Sequence, residues 1–499
     1  MALRVFAHEF VIKPQPFAAE SPKYIMKHLL ASAILASFAQ TVLGANISSN
    51  RPFATVLDPV VILEHARVID GLGHAPAEGQ TLVLESGRIA ALGADGTVAL
   101  PGGARILDLT GKSVIPGFVL VHEHLYYSSI VRAAFHVNEM EFSFPRLYLA
   151  AGITSMRTGG SIEPYTDLQV RDDINSGRTP GPKLHLTMPY LDGAGTGITQ
   201  LRPVASAAAA VRMIDYWADE GFTSAKMYVN LPAEIMGPAI AEAHRRGMQV
   251  TGHIGKVSYR EAAELGIDNL EHGFMAMSDF IAGRRPGDPS NAVSTYRSLE
   301  ALNPDSPEVA SLMKELIDRH VAVTSTLAIF ETFTPGRRID TEAELEEMAV
   351  PLRETYLSHW AAVNAKASPM AVHALARDMT LEAKYFKAGG LLVAGTDPTG
   401  YGGIIAGYGS WRTIELLVEA GLTNLEAIQV ATSNGAHLLG IFGDTGSIEK
   451  GKAADLVVIA GDPSKDITDI RKTETVFKDG VGYGSQALFE SAKGAVGIQ

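Results

Sequence analysis

Six polar side chains of this chain stand at or near the ends of apolar runs, and their types are those that bind metal ions. His122 and His124 follow Gly117-Phe118-Val119-Leu120-Val121 and lie two residues apart. On an extended strand that spacing puts both imidazoles on one face, and two neutral imidazoles converging on one point can hold one transition-metal ion. His253 ends Gln249-Val250-Thr251-Gly252, and His272 ends Asn269-Leu270-Glu271 nineteen residues later, room for one short helix and a turn. Asp397 follows Leu391-Leu392-Val393-Ala394-Gly395-Thr396, and Lys226 lies inside Phe222-Thr223-Ser224-Ala225-Lys226-Met227-Tyr228-Val229. Burying a charged amine in such a strand is costly unless it is paired. A neutral lysine that takes up carbon dioxide becomes instead a carbamate, an anion with two oxygens able to bridge two metal ions. Taken singly, His253 and His272 are as well explained as hydrogen-bonded core or surface groups. Asp397 alone reads equally as a helix cap, with Pro398 at the first helical position.

The elements that must position these groups change character along the chain. Short β-branched runs broken by Gly and Asp turns fill residues 56–116, and the stretch from Ala454 to Gly480 behaves alike, so both ends predict antiparallel strands. Between them strand and helix alternate. Arg202–Gly221, Pro232–Gly247 and Tyr259–Gly266 predict helices, whereas Phe222–Val229, Gln249–His253 and Asn269–His272 predict strands. Such alternation implies a parallel sheet with crossover helices, doubly wound or closed into a barrel. An apolar strand ending in a carboxylate, as at Asp397, fits the active-site face of a (β/α) barrel, where catalytic residues gather at the C-terminal ends of the strands. Neither β-rich end alone has enough strands to be stable, so the two are expected to share one small domain. The predicted architecture is therefore α/β: a parallel-sheet domain with crossover helices over 117–440, doubly wound or barrel, and one small β domain from 56–116 plus 441–485. Phe274–Pro304 and Phe330–Ala367 read as long loops after strands, where specificity would lie.

Composition excludes several classes. The chain has 499 residues, with 42 Lys and Arg against 55 Asp and Glu and a formal net charge of −13. That balance argues against nucleic acid or an anionic membrane surface as a partner and leaves a small-molecule substrate. There is no cysteine, so disulfides, zinc–thiolate sites and Cys nucleophiles are excluded. No run outside the N-terminus is long and apolar enough for stable membrane insertion. Met26-Lys27-His28, the apolar run Leu29–Phe38 and the small residues Gly44 and Ala45 read as a signal peptide over 26–45. Residues 1–25 then read as an extension from an upstream start codon, and the protein as periplasmic or secreted. Gly446-x4-Gly451-Lys452 imitates a phosphate-binding loop, but Ala453 stands where Ser or Thr would hold Mg²⁺.

With these residues in order, the chain resembles the amidohydrolase superfamily, and within it the imidazolonepropionase-related branch that includes Xaa-Pro and Xaa-Arg dipeptidases and ochratoxin-type amidases. The resemblance rests on Ile115-Pro116-Gly117 leading to His122 and His124, then Lys226, His253, Glu271-His272-Gly273, Gly395-Thr396-Asp397 and Gly446-Ser447-Ile448-Glu449-Lys450-Gly451-Lys452-Ala453-Ala454-Asp455-Leu456-Val457. It runs from about residue 58 to 480. It implies a (β/α)8 TIM-type barrel with a small β-sandwich domain built from both chain ends, and two divalent metal ions, with Zn²⁺ the expected metal. His122, His124 and Asp397 would hold the first, His253 and His272 the second, and carbamylated Lys226 would bridge them. Glu123, between the first two histidines, departs from the small or apolar residue of many relatives and should point away from the metals. The resemblance also implies that Tyr228, two residues after Lys226 on the same face, meets a substrate carboxylate next to the scissile amide. Arg157, ending Ile153-Thr154-Ser155-Met156, is a second candidate for that contact.

The expected reaction is hydrolysis of an amide bond in an N-acyl amino acid or dipeptide by a metal-bridging hydroxide, with Asp397 passing its proton to the leaving amine. Two other readings stand beside it: a one-metal hydrolase or deaminase of a cyclic C–N bond, with Lys226 an ordinary ion-pair partner, and an inactive barrel kept for assembly or binding. Oligomeric state is open, a homo-oligomer included. The signal-peptide reading predicts an exported product beginning near Ala45 or Asn46, checked by N-terminal sequencing. A soluble cytoplasmic product retaining Met1 would overturn it.

Overall fold

The computed structural model describes residues 52–497 except 132–133, 199, 338–340, 367 and 399–402. The signal-peptide reading and the upstream extension lie outside the described residues.

The β-rich ends do pair with each other. One nine-stranded sheet runs in the order Ala54–Val56, Val481–Gly484, Thr473–Lys478, Leu456–Ile459, Ser113–Pro116, Val60–Val68, Ala77–Glu85 and Arg88–Ala94, with Arg105–Asp108 paired to Val60–Val68 off this path. The seam between early and late chain is the antiparallel pair Ser113–Pro116 and Leu456–Ile459, in register from Ser113 opposite Ile459 to Pro116 opposite Leu456. Val61, Leu63, Leu82, Leu84, Val114, Leu456, Val458 and Phe477 form one buried apolar cluster between these strands. That burial favours strand pairing by about 25 cal/mol per Å² of apolar surface removed from water.

The middle of the chain is parallel. Lys183–His185, Ile153–Thr158 and Phe118–Glu123 form a three-stranded sheet in that order. Ser224–Met227, Gln249–Gly252, Asn269–Glu271, Ala322–Ser325 and Leu392–Ala394 form a five-stranded one in chain order. Parallel bridges Thr187–Ser224 and Leu191–Met227 link the segment after Lys183–His185 to the first strand of the five. On the other side, the backbone N–H groups of Thr396 and Asp397 donate to the His122 carbonyl at 3.1 and 3.0 Å. These strands are buried on both faces, which explains why they read as near-continuous apolar runs.

Helices return the chain between strands as their spacing predicts. Ala207–Asp219, Ala233–Arg245 and Tyr259–Leu265 occupy the expected stretches, each a residue or more shorter than its predicted span. Tyr259–Leu265 has a clear start and stop: Ser258 and Glu261 form a reciprocal capping box, and Gly266 ends it in the left-handed region. The stretches read as long loops need correction. They contain the helices Ala292–Ala301, Glu342–Glu347 and Val350–Lys366.

Asp455 ties the two layers together. Its buried carboxylate accepts from Lys183 Nζ at 2.9 Å, Thr445 Oγ1 at 3.0 Å and the Asp479 N–H at 2.9 Å. Asp455→Ala would leave the Thr445 hydroxyl and the Asp479 N–H without their acceptor, while Lys183 keeps the Asp479 carboxylate at 2.6 Å, and is expected to cost about 1–3 kcal/mol. Denaturant unfolding at neutral pH measures this.

Candidate metal centre and active site

The strand ends bring all six predicted groups into one region. His122 is on Phe118–Glu123 and His124 follows it directly. Lys226 is on Ser224–Met227, His253 follows Gln249–Gly252, His272 follows Asn269–Glu271, and Asp397 follows Leu392–Ala394 by three residues. All six line one cavity of about 180 Å³, together with Tyr126, Ser128, Val137, Ile162, Tyr190, Ile198 and Tyr228.

Asp397 is at its centre. Its Oδ1 lies 3.2 Å from His124 Nε2 and 3.6 Å from His122 Nε2, and its Oδ2 is 3.8 Å from His272 Nδ1. The His122 and His272 rings are 4.8 Å apart between centroids, and the His253 and His272 rings 4.4 Å. One donor atom each from His122, His272 and Asp397 lies within 4.8 Å of the others. This tight trio draws from both of the ligand sets that the family resemblance implies. Room for His122 comes from glycine. A Cβ on Gly159 would come 2.7 Å from His122 Nε2, and one on Gly395 would come 2.5 Å from His122 Cβ.

Burial and charge set the protonation states. Burial pushes His253 down to about 4, helped by the Lys226 charge. It lowers His124 as well, and drives His272 well below its ordinary value, the more so because the His253 and His122 rings beside it disfavour a further positive charge. These three rings are therefore neutral at pH 7, the form in which imidazole binds metal. Burial opposes the Asp397 carboxylate, but hydrogen bonds from His122 and His124 outweigh it and hold the group well below the usual range. His124 Nδ1 is buried with no hydrogen-bond partner. Burial opposes the charged form of His122, but the Glu271 and Asp397 carboxylates outweigh it and raise its pKa. Imidazoles and a carboxylate converging in a buried cavity fit a divalent first-row ion.

Lys226 is nearly inaccessible and pairs with Glu271, a residue that the sequence reading left out of the site. Burial lowers the Lys226 pKa against the pull of Glu271. Glu271 is itself held well below its ordinary value, because the Lys226 and His122 charges outweigh burial. Its other oxygen accepts from Thr251 Oγ1 at 2.7 Å and stands 3.3 Å from His122 Nδ1. A lysine inside an apolar strand calls for an acid nearby, and Glu271 is the acid of Asn269–Glu271, which Gln249–Gly252 separates from the Lys226 strand. That signal could have found it.

Tyr228 lines the cavity, with its ring 4.9 Å from Tyr190 and 5.4 Å from His253. Arg157 is not brought there. It is fully buried away from the cavity lining and donates to Val121 O at 3.0 Å, Asn269 Oδ1 at 2.6 Å and Thr251 Oγ1 at 3.2 Å. Its side chain points between the strands, so contact with substrate is replaced by a polar network within the core. Glu123 points toward Thr396, accepting from its Oγ1 at 2.7 Å, and burial pushes its carboxyl up to about 8.

The cavity wall holds residues the sequence reading missed. The hairpin Tyr126–Val131 with Ala134–Glu139 follows directly on His124 and supplies Tyr126, Ser128 and Val137. Tyr126 continues the two-residue spacing of His122 and His124 and could have been read from it. Tyr190, in the connection after Lys183–His185, carries no comparable signal; its hydroxyl meets that of Tyr126.

The amidohydrolase family model matches residues 113–482. The chain belongs to the amidohydrolase family. It is a hydrolytic enzyme acting on C–N bonds of small molecules, in a family that uses divalent metal ions. Among solved structures, a Xaa-Pro dipeptidase with methionine bound in its active site is 19% identical with a TM-score of 0.64, covering 85% of this chain and 100% of that one. A bottromycin amidohydrolase is 19% identical with a TM-score of 0.65, covering 92% and 94%. The A. niger ochratoxinase is 17% identical with a TM-score of 0.60, covering 88% and 100%. These likenesses show a fold of TIM-barrel type. No curated protein matches the sequence. Among the described residues, no helix is long and apolar enough to cross a membrane.

In the metal-free amidohydrolase, Glu271→Ala would strand the Lys226 ammonium in the core. It is expected to lower stability by about 3–5 kcal/mol, measured by denaturant unfolding of chelator-treated protein.

Proposed function

We propose that this amidohydrolase cleaves the amide bond of a dipeptide or N-acyl amino acid at a centre built for two divalent ions, with Zn²⁺ the expected metal. One observation carries the reading: five predicted ligands and Lys226 line a single cavity that Tyr228 also enters. His122, His124 and Asp397 would hold one ion and His253 and His272 the other, with a carbamate on Lys226 between them. Divalent ions there supply Lewis acidity, which acidifies water and polarises the scissile carbonyl. The chain's own groups do the rest. Asp397 Oδ takes a proton from the attacking water and returns it to the leaving amine nitrogen. The Tyr228 hydroxyl donates to the substrate carboxylate, and the phenol rings of Tyr126 and Tyr190 exclude water from the same wall.

The eight parallel strands close as a barrel in this proposal, supported by the Thr187–Ser224 bridge on one side and the Thr396 and Asp397 bonds to His122 on the other. The nine-stranded sheet folds over as a sandwich in the same proposal, supported by the apolar cluster of Val61, Leu63, Leu82, Leu84, Val114, Leu456, Val458 and Phe477. The run Leu29–Phe38 supports an exported enzyme.

A specific observation favours the one-metal reading: Lys226 is paired with Glu271. A carbamate would have to displace that pair. Metal counting separates the two, near two ions per chain for the first reading and near one for the second. Under the first, Lys226→Ala loses metal and is partly rescued by small carboxylic acids. Full metal content and activity in Lys226→Ala would rule out the bridge.

Substrate class is tested by hydrolysis of dipeptides and N-acyl amino acids beside their amide-capped analogues. Tyr228→Phe is expected to raise KM for the carboxylates far more than for the capped forms. Equal effects on both would overturn the carboxylate contact.

A further inference from the structure

His272 is held in an unusual backbone. Its φ is +69° and that of Gly273 is +55°, two consecutive residues in the left-handed region. A β-carbon is disfavoured there, so such a conformation persists only when its surroundings over-determine it. In an ordinary strand conformation the His272 ring would not meet Asp397 and His253 as it does, so whatever fixes these two residues fixes a metal ligand.

Two buried side chains outside the cavity bracket this turn. The Tyr259 hydroxyl shares its proton between the Glu271 carbonyl at 3.1 Å and the Gly273 carbonyl at 2.8 Å, one residue on either side of His272. Asp378 Oδ1 accepts from the Phe274 N–H at 2.6 Å. Asp378 and Glu382 lie one turn apart on the helix Pro369–Lys387 and press directly on Gly273. A Cβ there would come 2.1 Å from Glu382 Oε1 and 2.7 Å from Asp378 Oδ1. Only glycine fits, and its own N–H donates to the Thr324 carbonyl at 2.8 Å. Neither Tyr259 nor Asp378 lines the cavity.

We propose that Tyr259 and Asp378 are positioning residues that fix the left-handed turn at His272–Gly273 and thereby aim the His272 imidazole into the metal centre. The proposal rests on the reading of His272 as a metal ligand. Burial pushes the Asp378 carboxyl, and that of Glu382 beside it, up from the ordinary range. An amide at position 378 retains the acceptor oxygen that faces the Phe274 N–H.

The test is Zn²⁺ titration of the chelator-stripped full chain by calorimetry, with circular dichroism and thermal melts to establish folding. Asp378→Ala and Tyr259→Phe are expected to weaken Zn²⁺ binding by about 10–100-fold, the usual effect of removing groups that orient a ligand. Asp378→Asn is expected to keep wild-type affinity, because the oxygen facing the Phe274 N–H remains. His272→Ala is the control for the reading beneath: unchanged Zn²⁺ binding in that variant removes His272 from the centre altogether. If His272→Ala loses Zn²⁺ while folded Asp378→Ala and Tyr259→Phe bind it as the wild type does, the positioning role is overturned. Loss of binding in Asp378→Asn equal to that in Asp378→Ala also overturns it. Should Asp378→Ala fail to fold, Tyr259→Phe, which removes one oxygen and keeps the ring, decides.

Discussion

A lysine ammonium shut away from water must find a negative charge, and Lys226 meets it in Glu271. Much of the surrounding architecture answers to that pair. Thr251 and His122 approach the second Glu271 oxygen, and Thr251 is joined in turn to Asn269 and the Arg157 guanidinium. Polar side chains from several strands thus form one continuous network through an otherwise apolar interior. Such a network fixes the strands' mutual register, because sliding one of them strands a charge in the core. The histidines sit at the edge of this network, held by groups that themselves have nowhere else to go.

The site was legible wherever its residues followed a simple rule. His122, His124, His253, His272 and Asp397 follow apolar strands, and the end of such a strand is visible in a linear sequence. Lys226 was visible because a charge stood where none belonged. Arg157 satisfied the same rule and led elsewhere. A charged residue at a strand's end looks alike whether its side chain rises to the mouth or turns between strands, and only the neighbours Thr251 and Asn269 decide. The hairpin after His124 was hidden because it continues directly from the metal-binding run. Tyr190 was hidden because its connecting segment has no periodicity to read.

The fold shows the same division. Alternation of strand and helix was readable from residue 202 to 272, where apolar residues recur at helical spacing: Ala210 and Ile214 of the first helix are buried and Met213 and Trp217 pack half-buried beside them. Val350–Lys366 was missed because it buries only Leu352 and Tyr356 over seventeen residues, too little for a helical apolar stripe. The capping pairs Asn291 with Ser294 and Thr341 with Glu344 were the available signals for the helices they begin. They are short-range marks, easily lost in polar sequence. The pairing of the two β-rich ends was inferred from insufficiency alone, since neither could bury a sheet by itself.

That pairing also has a consequence in time. Ser113–Pro116 finds its partner Leu456–Ile459 only after more than three hundred intervening residues have been made. Contacts so distant in sequence are reached late, because closing a long loop costs entropy before any contact repays it. Until Leu456–Ile459 exists, the early strands Val60–Val68, Ala77–Glu85, Arg88–Ala94 and Ser113–Pro116 leave the Ser113–Pro116 edge unpaired, and such an edge is prone to pair with other chains. The α/β middle, whose strands mostly join near neighbours in sequence, can assemble during that interval. The last strands then act as a latch, and a nascent molecule halted before residue 456 would carry its ligand-bearing strands but no means of sealing the edge beside them.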